Sequence, residues 1–147
     1  MAGPFLQRPD LAALNSMLVG TAAESLGIRL TEQGDDYLRG TMPVDSRTKQ
    51  PFGLLHGGAS VLLAETLASF AGHLCLDPSA HKQAAGLEIN ANHIRAVTAG
   101  TVTGTARPVH LGRGPDQHRI QRRQVGALQE RTGHRRAPQR TRIIPGR

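Results

Sequence analysis

The sequence predicts an α+β fold in which an antiparallel sheet wraps one long central helix. Three observations predict it. A hairpin pattern occupies residues 28–42, a sustained helical stripe runs from 58 to 76, and two further stretches of strand character follow.

Asp10 stands where a helix N-cap belongs, with Leu11, Leu14 and Leu18 at helical spacing behind it. Thr21 followed by Glu24 has the form of a capping box, and Gly27 fits the position just past a helix end, which predicts one short turn. Ile28 and Leu30 alternate with polar residues, Gly34-Asp35-Asp36 makes a turn, and Tyr37 to Met42 resume an extended pattern. Pro43 and Pro51 bracket a polar loop. In the central helix, Ala59, Leu62, Leu63, Thr66, Leu67 and Phe70 form the expected buried stripe, and Asp77-Pro78 ends it. Residues 84–94 read as a strand, with Leu87, Ile89 and Ala91 on one face and Glu88, Asn90 and Asn92 on the other. Residues 101–109 read as another, weakened by Gly104.

A chain of 147 residues suits one domain, and its excess positive charge is confined to one end. Residues 1–112 hold eight Lys and Arg against nine acids, whereas residues 113–147 hold ten Arg against two. The basic balance therefore describes a tail and says nothing about the partner of the main domain. That tail lacks aromatic residues and any sustained period, and by composition it is expected to be disordered. The single cysteine, Cys75, suits a reducing compartment, and the N-terminus lacks the apolar run of a signal peptide. Glu65, Thr66, Ser69 and His73 interrupt the longest apolar stretch, so no membrane span is expected and a soluble cytoplasmic protein is.

Chemistry concentrates around the central helix. His56-Gly57-Gly58 immediately precedes it, and Glu65 lies within it beside Leu63, Ala64 and Leu67. Helix N-termini present unpaired N–H groups and partial positive charge, which suit a developing oxyanion, and glycines let a carbonyl come close. A carboxylate at the edge of an apolar stripe is either paired or used. Ser69, one turn on, shares its face. Gly57 and Glu65 stand eight residues apart, about 12 Å along a helix, too far to meet at one carbonyl carbon. Cooperation between them requires two copies of the helix, antiparallel across a two-fold axis, and hence an obligate dimer. The seven histidines show no short zinc-ligand spacing with cysteine, and Cys75 near the end of an apolar helix reads as core rather than nucleophile. Arg47 and Lys49 either meet a phosphate or decorate a solvated loop.

The blocks MPVDSRTKQPFGLLHGGASVLLAET (residues 42–66), GLEINANHIR (86–95) and PVHLG (108–112) closely resemble bacterial hotdog-fold acyl-CoA thioesterases, in a similarity running from about Leu11 to Gly112. The resemblance implies hydrolysis of an aryl-CoA thioester to free acid and coenzyme A, of the kind used in menaquinone biosynthesis, by a dimer or a dimer of dimers. Glu65 matches the catalytic carboxylate, as nucleophile or as general base. Gly57 matches the N–H donor to the thioester oxygen, helped by His56 and Gln50, and Ser69 matches a residue of the acyl pocket. Gly86, His93, Ile94 and Arg95, with His110, Leu111 and Gly112, fall where the family contacts coenzyme A; Ala96 replaces a frequent serine. No metal or redox cofactor is implied, coenzyme A being part of the substrate.

The sequence departs from the family after Gly112, where two further alternating strands are expected and an Arg- and Gly-rich run stands instead. Such a change inside a motif has the character of a reading frame shifted near Gly112. Residues 1–112 then form a hotdog domain lacking its last strands, and 113–147 a tail. Those strands lie inside the family's sheet, so their loss leaves residues 86–95 without a neighbour, and the chain is expected to be poorly stable. Two other classes remain: a nucleic-acid binder using the tail, disfavoured because no aromatic is there to stack bases, and a remnant that binds acyl-CoA without turnover.

Overall fold

The computed structural model describes residues 3–80, 82–109, 111 and 126–131. Its elements are α1 (Leu11–Ser16), α2 (Ala22–Ser25), β1 (Arg29–Gln33), β2 (Leu38–Pro43), the long α3 (Gly57–Leu74), a 3₁₀ turn at Pro78–Ala80, β3 (Thr101–Ala106) and β4 (Gly126–Arg131). The strands form one antiparallel sheet in the order β1-β2-β3-β4, and α3 packs on β2 and β3. The expected α+β arrangement is therefore present, with the helix against the middle of the sheet.

The start of the chain is built by caps and one side-chain bridge. Asp10 accepts from Ala13 N at 2.7 Å and caps α1 as expected. Gly27, at φ +70, takes the left-handed conformation that ends α2. The capping box does not form. The Thr21 hydroxyl donates back to Leu18 O, and Glu24 instead accepts from Gly20 N at 2.6 Å. Asn15 stitches α1 to β1: its side chain both donates to Leu30 O and accepts from Leu30 N, each at 2.9 Å, acting as a one-residue strand neighbour. At the far end of α3, Leu6 N and Gln7 N donate to Leu74 O, and the Gln7 amide donates to His73 O and Leu76 O. Carbonyls that a helix end leaves unpaired are thus satisfied by the N-terminal segment.

The seam between α3 and the sheet explains two glycines. Gly40 and Gly104 face each other in the β2–β3 register. A Cβ at Gly104 would stand 2.7 Å from Leu67 Cδ1, and one at Gly40 would stand 2.9 Å from Leu67 Cδ2 and 2.8 Å from Arg29 O. The fully buried Leu67 occupies the space these residues leave empty. Gly104, which weakens the strand as a sequence pattern, lets the helix sit down on it.

The helix stripe is rotated from its expected position. Ala59, Ser60, Leu63, Ala64, Leu67, Ala71 and Leu74 are buried, while Leu62, Thr66 and Phe70 are only half-buried. Small residues let the backbone approach the sheet, and they lay outside a pattern drawn through the large ones. Residues 84–94 form no strand. They run irregularly, with Leu87 88% and Ile94 94% exposed, and among the described residues no strand lies beside them to take their backbone bonds. The strand expected over 101–109 ends at Ala106. Of the tail, the described residues Gly126–Arg131 form β4, which pairs with β3, and the rest lies outside the described residues. The open edge of β3 offers N–H and C=O groups to any extended backbone, whatever its side-chain pattern.

Candidate active site

The site begins in the loop before α3. A bridge between Lys49 and Leu55 closes a tight turn, within which Gln50 N donates to Leu54 O at 2.8 Å and Gly53 N to Gln50 O at 3.0 Å. Gln50 Oε1 accepts from Phe52 N, which directs the side-chain amide around the turn. His56 N donates to Thr48 O at 2.8 Å, and the buried Thr48 hydroxyl donates to Pro43 O at 2.8 Å. The turn is thereby tied to the end of β2, and His56 is placed as the N-cap of α3.

His56 Nδ1 accepts from Gly58 N at 2.8 Å, so the imidazole satisfies one of the amides at the helix start. Gly57 follows as the first helical residue, where the N–H has no intrahelical acceptor and points out along the axis. An imidazole from a distant stretch of chain also lies here. His93 Nε2 stands 2.9 Å from where a Cβ on Gly57 would be, and His93 Nδ1 is 3.2 Å from Ser60 Oγ.

Glu65 lies two turns along α3. Leu67 marks the face on the sheet, and at 100° per residue Glu65 stands about 160° away from it. Ser69 Oγ donates to Glu65 Oε1 at 3.1 Å, and Val61, Leu62 and Ala68 on the same side are half-buried. The carboxylate thus projects from an apolar surface of the helix away from its own chain's sheet, held by a hydroxyl one turn on. Helix α3 is continuous from Gly57 to Leu74, so the distance of about 12 Å between Gly57 and Glu65 stands.

The structure brings together His56, Gly57 and His93 at one end of α3, and Glu65 with Ser69 at its middle, whereas the Gln50 side chain bonds back to Phe52 N of its own turn and no hydrogen bond among the described residues takes it to the helix start. Gly86, Ile94 and Arg95 are exposed in the irregular segment and are not gathered to the helix start by any hydrogen bond among the described residues. Leu111 is 38% exposed; His110 and Gly112 lie outside the described residues. Ser60, 3% exposed, was missed by the sequence reading. Its only signal there is a hydroxyl in the first turn of a helix that begins with glycines. Cys75, half-buried at the end of α3, has its thiol pushed up to about 11 by burial, which makes it a neutral core group at ordinary pH.

An antiparallel sheet packed on one long helix is the hotdog arrangement. Residues 52–114 match the family model of the thioesterase superfamily, and the chain belongs to that superfamily of thioester hydrolases. Among its relatives is the 1,4-dihydroxy-2-naphthoyl-CoA hydrolase of Escherichia coli, 57% identical over 102 residues that cover 69% of this chain and 74% of the relative. The proofreading thioesterase EntH of Cronobacter turicensis is 57% identical over 103 residues, 70% of this chain and 74% of that protein. The crystal structure of thioesterase HI1161 from Haemophilus influenzae matches with a TM-score of 0.72 at 49% identity, over 77% of this chain and 76% of that one. Two structures of SAV0944 from Staphylococcus aureus match at 39% and 38% identity, each with a TM-score of 0.55 over 61% of this chain and 74% of that one. One carries a glutamate and the other a glutamine changed to alanine, fifteen positions apart.

Proposed function

We propose that the protein hydrolyses an aryl-CoA thioester, of the 1,4-dihydroxy-2-naphthoyl-CoA type, to the free acid and coenzyme A. The observation that carries this reading is the placing of Glu65, bonded by Ser69 on an apolar face turned away from the sheet, on the same helix whose first residue is a glycine N–H donor. The separation along α3 requires the two groups to come from two copies. Antiparallel pairing of α3 across a two-fold axis sets the carboxylate of each copy against the glycine start of the other and creates two equivalent sites.

In that assembly the thioester carbonyl lies against Gly57 N–H. Negative charge that grows on its oxygen is stabilised by the amide and the positive helix end, with Gln50 and His56 beside them. Glu65 either attacks the carbonyl carbon or takes a proton from the attacking water, and Ser69 orients it. The C–S bond then breaks, the thiolate leaves and is protonated, and one water has been consumed. The segment 86–95 and residues 110–112 supply the contacts to coenzyme A. The spacing of Gln50 and Glu65 equals that of the two substituted positions of SAV0944, which supports their pairing in one site. We place this reaction in the cytoplasm, in menaquinone biosynthesis, with water as the only co-reactant.

A second reading draws on the equal identity to EntH: release of a misplaced aryl group from a carrier protein, which bears it on the same pantetheine thiol. Free thiol released from 1,4-dihydroxy-2-naphthoyl-CoA and benzoyl-CoA, against the same acyl groups on an aryl carrier protein, separates the two. The first reading expects kcat/KM at least tenfold higher for the CoA thioesters. The reverse order would replace it with the second, and no thiol from either would remove both.

A further inference from the structure

Ser60 is the buried polar group that the proposed reaction leaves without a task. With Thr48, it is one of the two buried polar residues of the core among the described residues, and it lies at 3% exposure in the first turn of α3. A hydroxyl so enclosed must find its partners within the protein. Its two neighbours are Gly57 O at 2.8 Å and His93 Nδ1 at 3.2 Å.

A serine hydroxyl has one proton and two lone pairs. A carbonyl oxygen can only accept, so the shorter contact to Gly57 O takes the Ser60 proton. Toward His93, Ser60 Oγ is then an acceptor, and Nδ1 must carry the hydrogen. In the neutral imidazole the remaining nitrogen, Nε2, has a bare lone pair. That nitrogen is the one lying 2.9 Å from the Cβ position of Gly57, on a ring that is itself exposed to an incoming ligand.

We infer that Ser60 is a positioning residue of the thioesterase: from the core it holds the His93 imidazole against Gly57 with Nδ1 protonated, so that Nε2 meets the substrate as a hydrogen-bond acceptor. The chemistry of that lone pair selects its partner. Phosphates of coenzyme A offer only acceptor oxygens at neutral pH and the adenine amine and ribose hydroxyl lie at the far end of the molecule, whereas the arm next to the thioester carries two amide N–H donors. His93 Nε2 receives one of those amides and fixes the arm as it passes the start of α3. This rests on the acyl-CoA reading of the site, and it gives that site a recognition element for the pantetheine arm rather than for the nucleotide.

The test uses the full chain and two probes: an aryl-CoA thioether, which cannot be hydrolysed, and the matching aryl-pantetheine thioether, which has no phosphate. Their dissociation constants are measured by calorimetry at neutral pH for wild type, Ser60→Ala and His93→Ala, with kcat and KM for the corresponding thioesters. Loss of one neutral hydrogen bond is expected to weaken both probes by the same factor, about five- to tenfold, in both variants. KM should rise accordingly, with kcat within twofold, and Ser60→Thr, which restores a hydroxyl, should recover most of the affinity. Weakening confined to the CoA probe would overturn the inference in favour of a phosphate contact, as would Ser60→Ala binding like wild type. Wild type that binds both thioethers but turns over neither thioester would sink the hydrolase reading and leave the inference to be judged on binding. Ser60→Ala that unfolds would leave His93→Ala and the Nδ1–H resonance of wild type, expected to be protected from exchange, as the deciding readouts; a rapidly exchanging Nδ1–H would count against it.

Discussion

Replacing Gly57 by alanine separates the chemistry of the helix start from its stability. The new Cβ would stand 2.9, 3.3 and 3.4 Å from Nε2, Cδ2 and Cε1 of His93, so the atoms it meets first all belong to the edge of one ring. His93 is exposed and free to move away, and Gly57 is not among the glycines with positive φ, so its backbone accepts alanine. Displacing an exposed ring costs about 0.5–1 kcal/mol, close to what alanine gains over glycine in a helix, up to about 1 kcal/mol. Stability should therefore stay within about 0.5 kcal/mol of wild type. Activity should not. A methyl beside the N–H crowds the thioester oxygen away from a donor whose removal in other oxyanion holes costs about 10²–10³ in kcat. We expect a fall of about a hundredfold, with a rise in KM from the displaced His93. Thiol release from an aryl-CoA and a thermal melt on the same sample provide the check. A kcat within threefold of wild type, at an unchanged melting temperature, would show that Gly57 N–H is not the oxyanion donor.

The same substitution at Gly104 should do the opposite, because its Cβ would meet Leu67 Cδ1 at 2.7 Å inside the core. Overpacking there is expected to cost about 1–3 kcal/mol, read as a lower urea midpoint at unchanged slope. Glu65→Ala and Glu65→Gln should each abolish measurable turnover while leaving substrate-analogue binding within a few-fold, and Ser69→Ala should cost about tenfold or less; unchanged rates in the Glu65 variants would remove that residue from its role. Cys75, with its thiol raised to about 11 by burial, should alkylate slowly with iodoacetamide at pH 8 and faster only as pH rises toward that value, since a raised pKa keeps the unreactive neutral form; fast labelling at pH 7 would contradict its place in the core. The segment 82–96 should exchange its amides within seconds, because among the described residues it has no strand beside it. Restoring two family-like strands after Gly112, as another reading frame of the coding DNA is expected to encode, should slow that exchange and sharpen the thermal transition. No change on restoration would refute the missing-neighbour account.

Much of this fold was legible because local patterns and tertiary contacts agree. Asp10 caps α1, Gly27 ends α2, and the hairpin and α3 fall within one or two residues of their expected bounds. Where the reading failed, a partner not visible in the local pattern decided. Residues 84–94 alternate like a strand, but alternation specifies a face, not a neighbour, and none is there among the described residues. β4 has no such pattern and forms because the edge of β3 accepts its backbone. The buried face of α3 keeps the expected Ala59, Leu63 and Leu67 and adds Ser60, Ala64 and Ala71, small residues that a stripe drawn through Leu62, Thr66 and Phe70 passes over. In the candidate site, the placing of His56 and Gly57 at the start of α3 and of Glu65 one turn before Ser69 was readable from spacing on one helix. The pairing of Ser60 with His93 was not, because it joins residues 33 apart in sequence.

In the proposed dimer each site takes its amide from one copy and its carboxylate from the other. Mixing Gly57→Ala with Glu65→Gln tests it directly, since both homodimers lack a working site while each mixed dimer carries one site with both groups intact. After unfolding and refolding an equal mixture, random pairing makes half the dimers mixed, and activity should return to roughly a quarter of wild type. Activity no higher than that of the separate variants, in a mixture shown by mass spectrometry to contain mixed dimers, would place both groups in one copy and contradict the account.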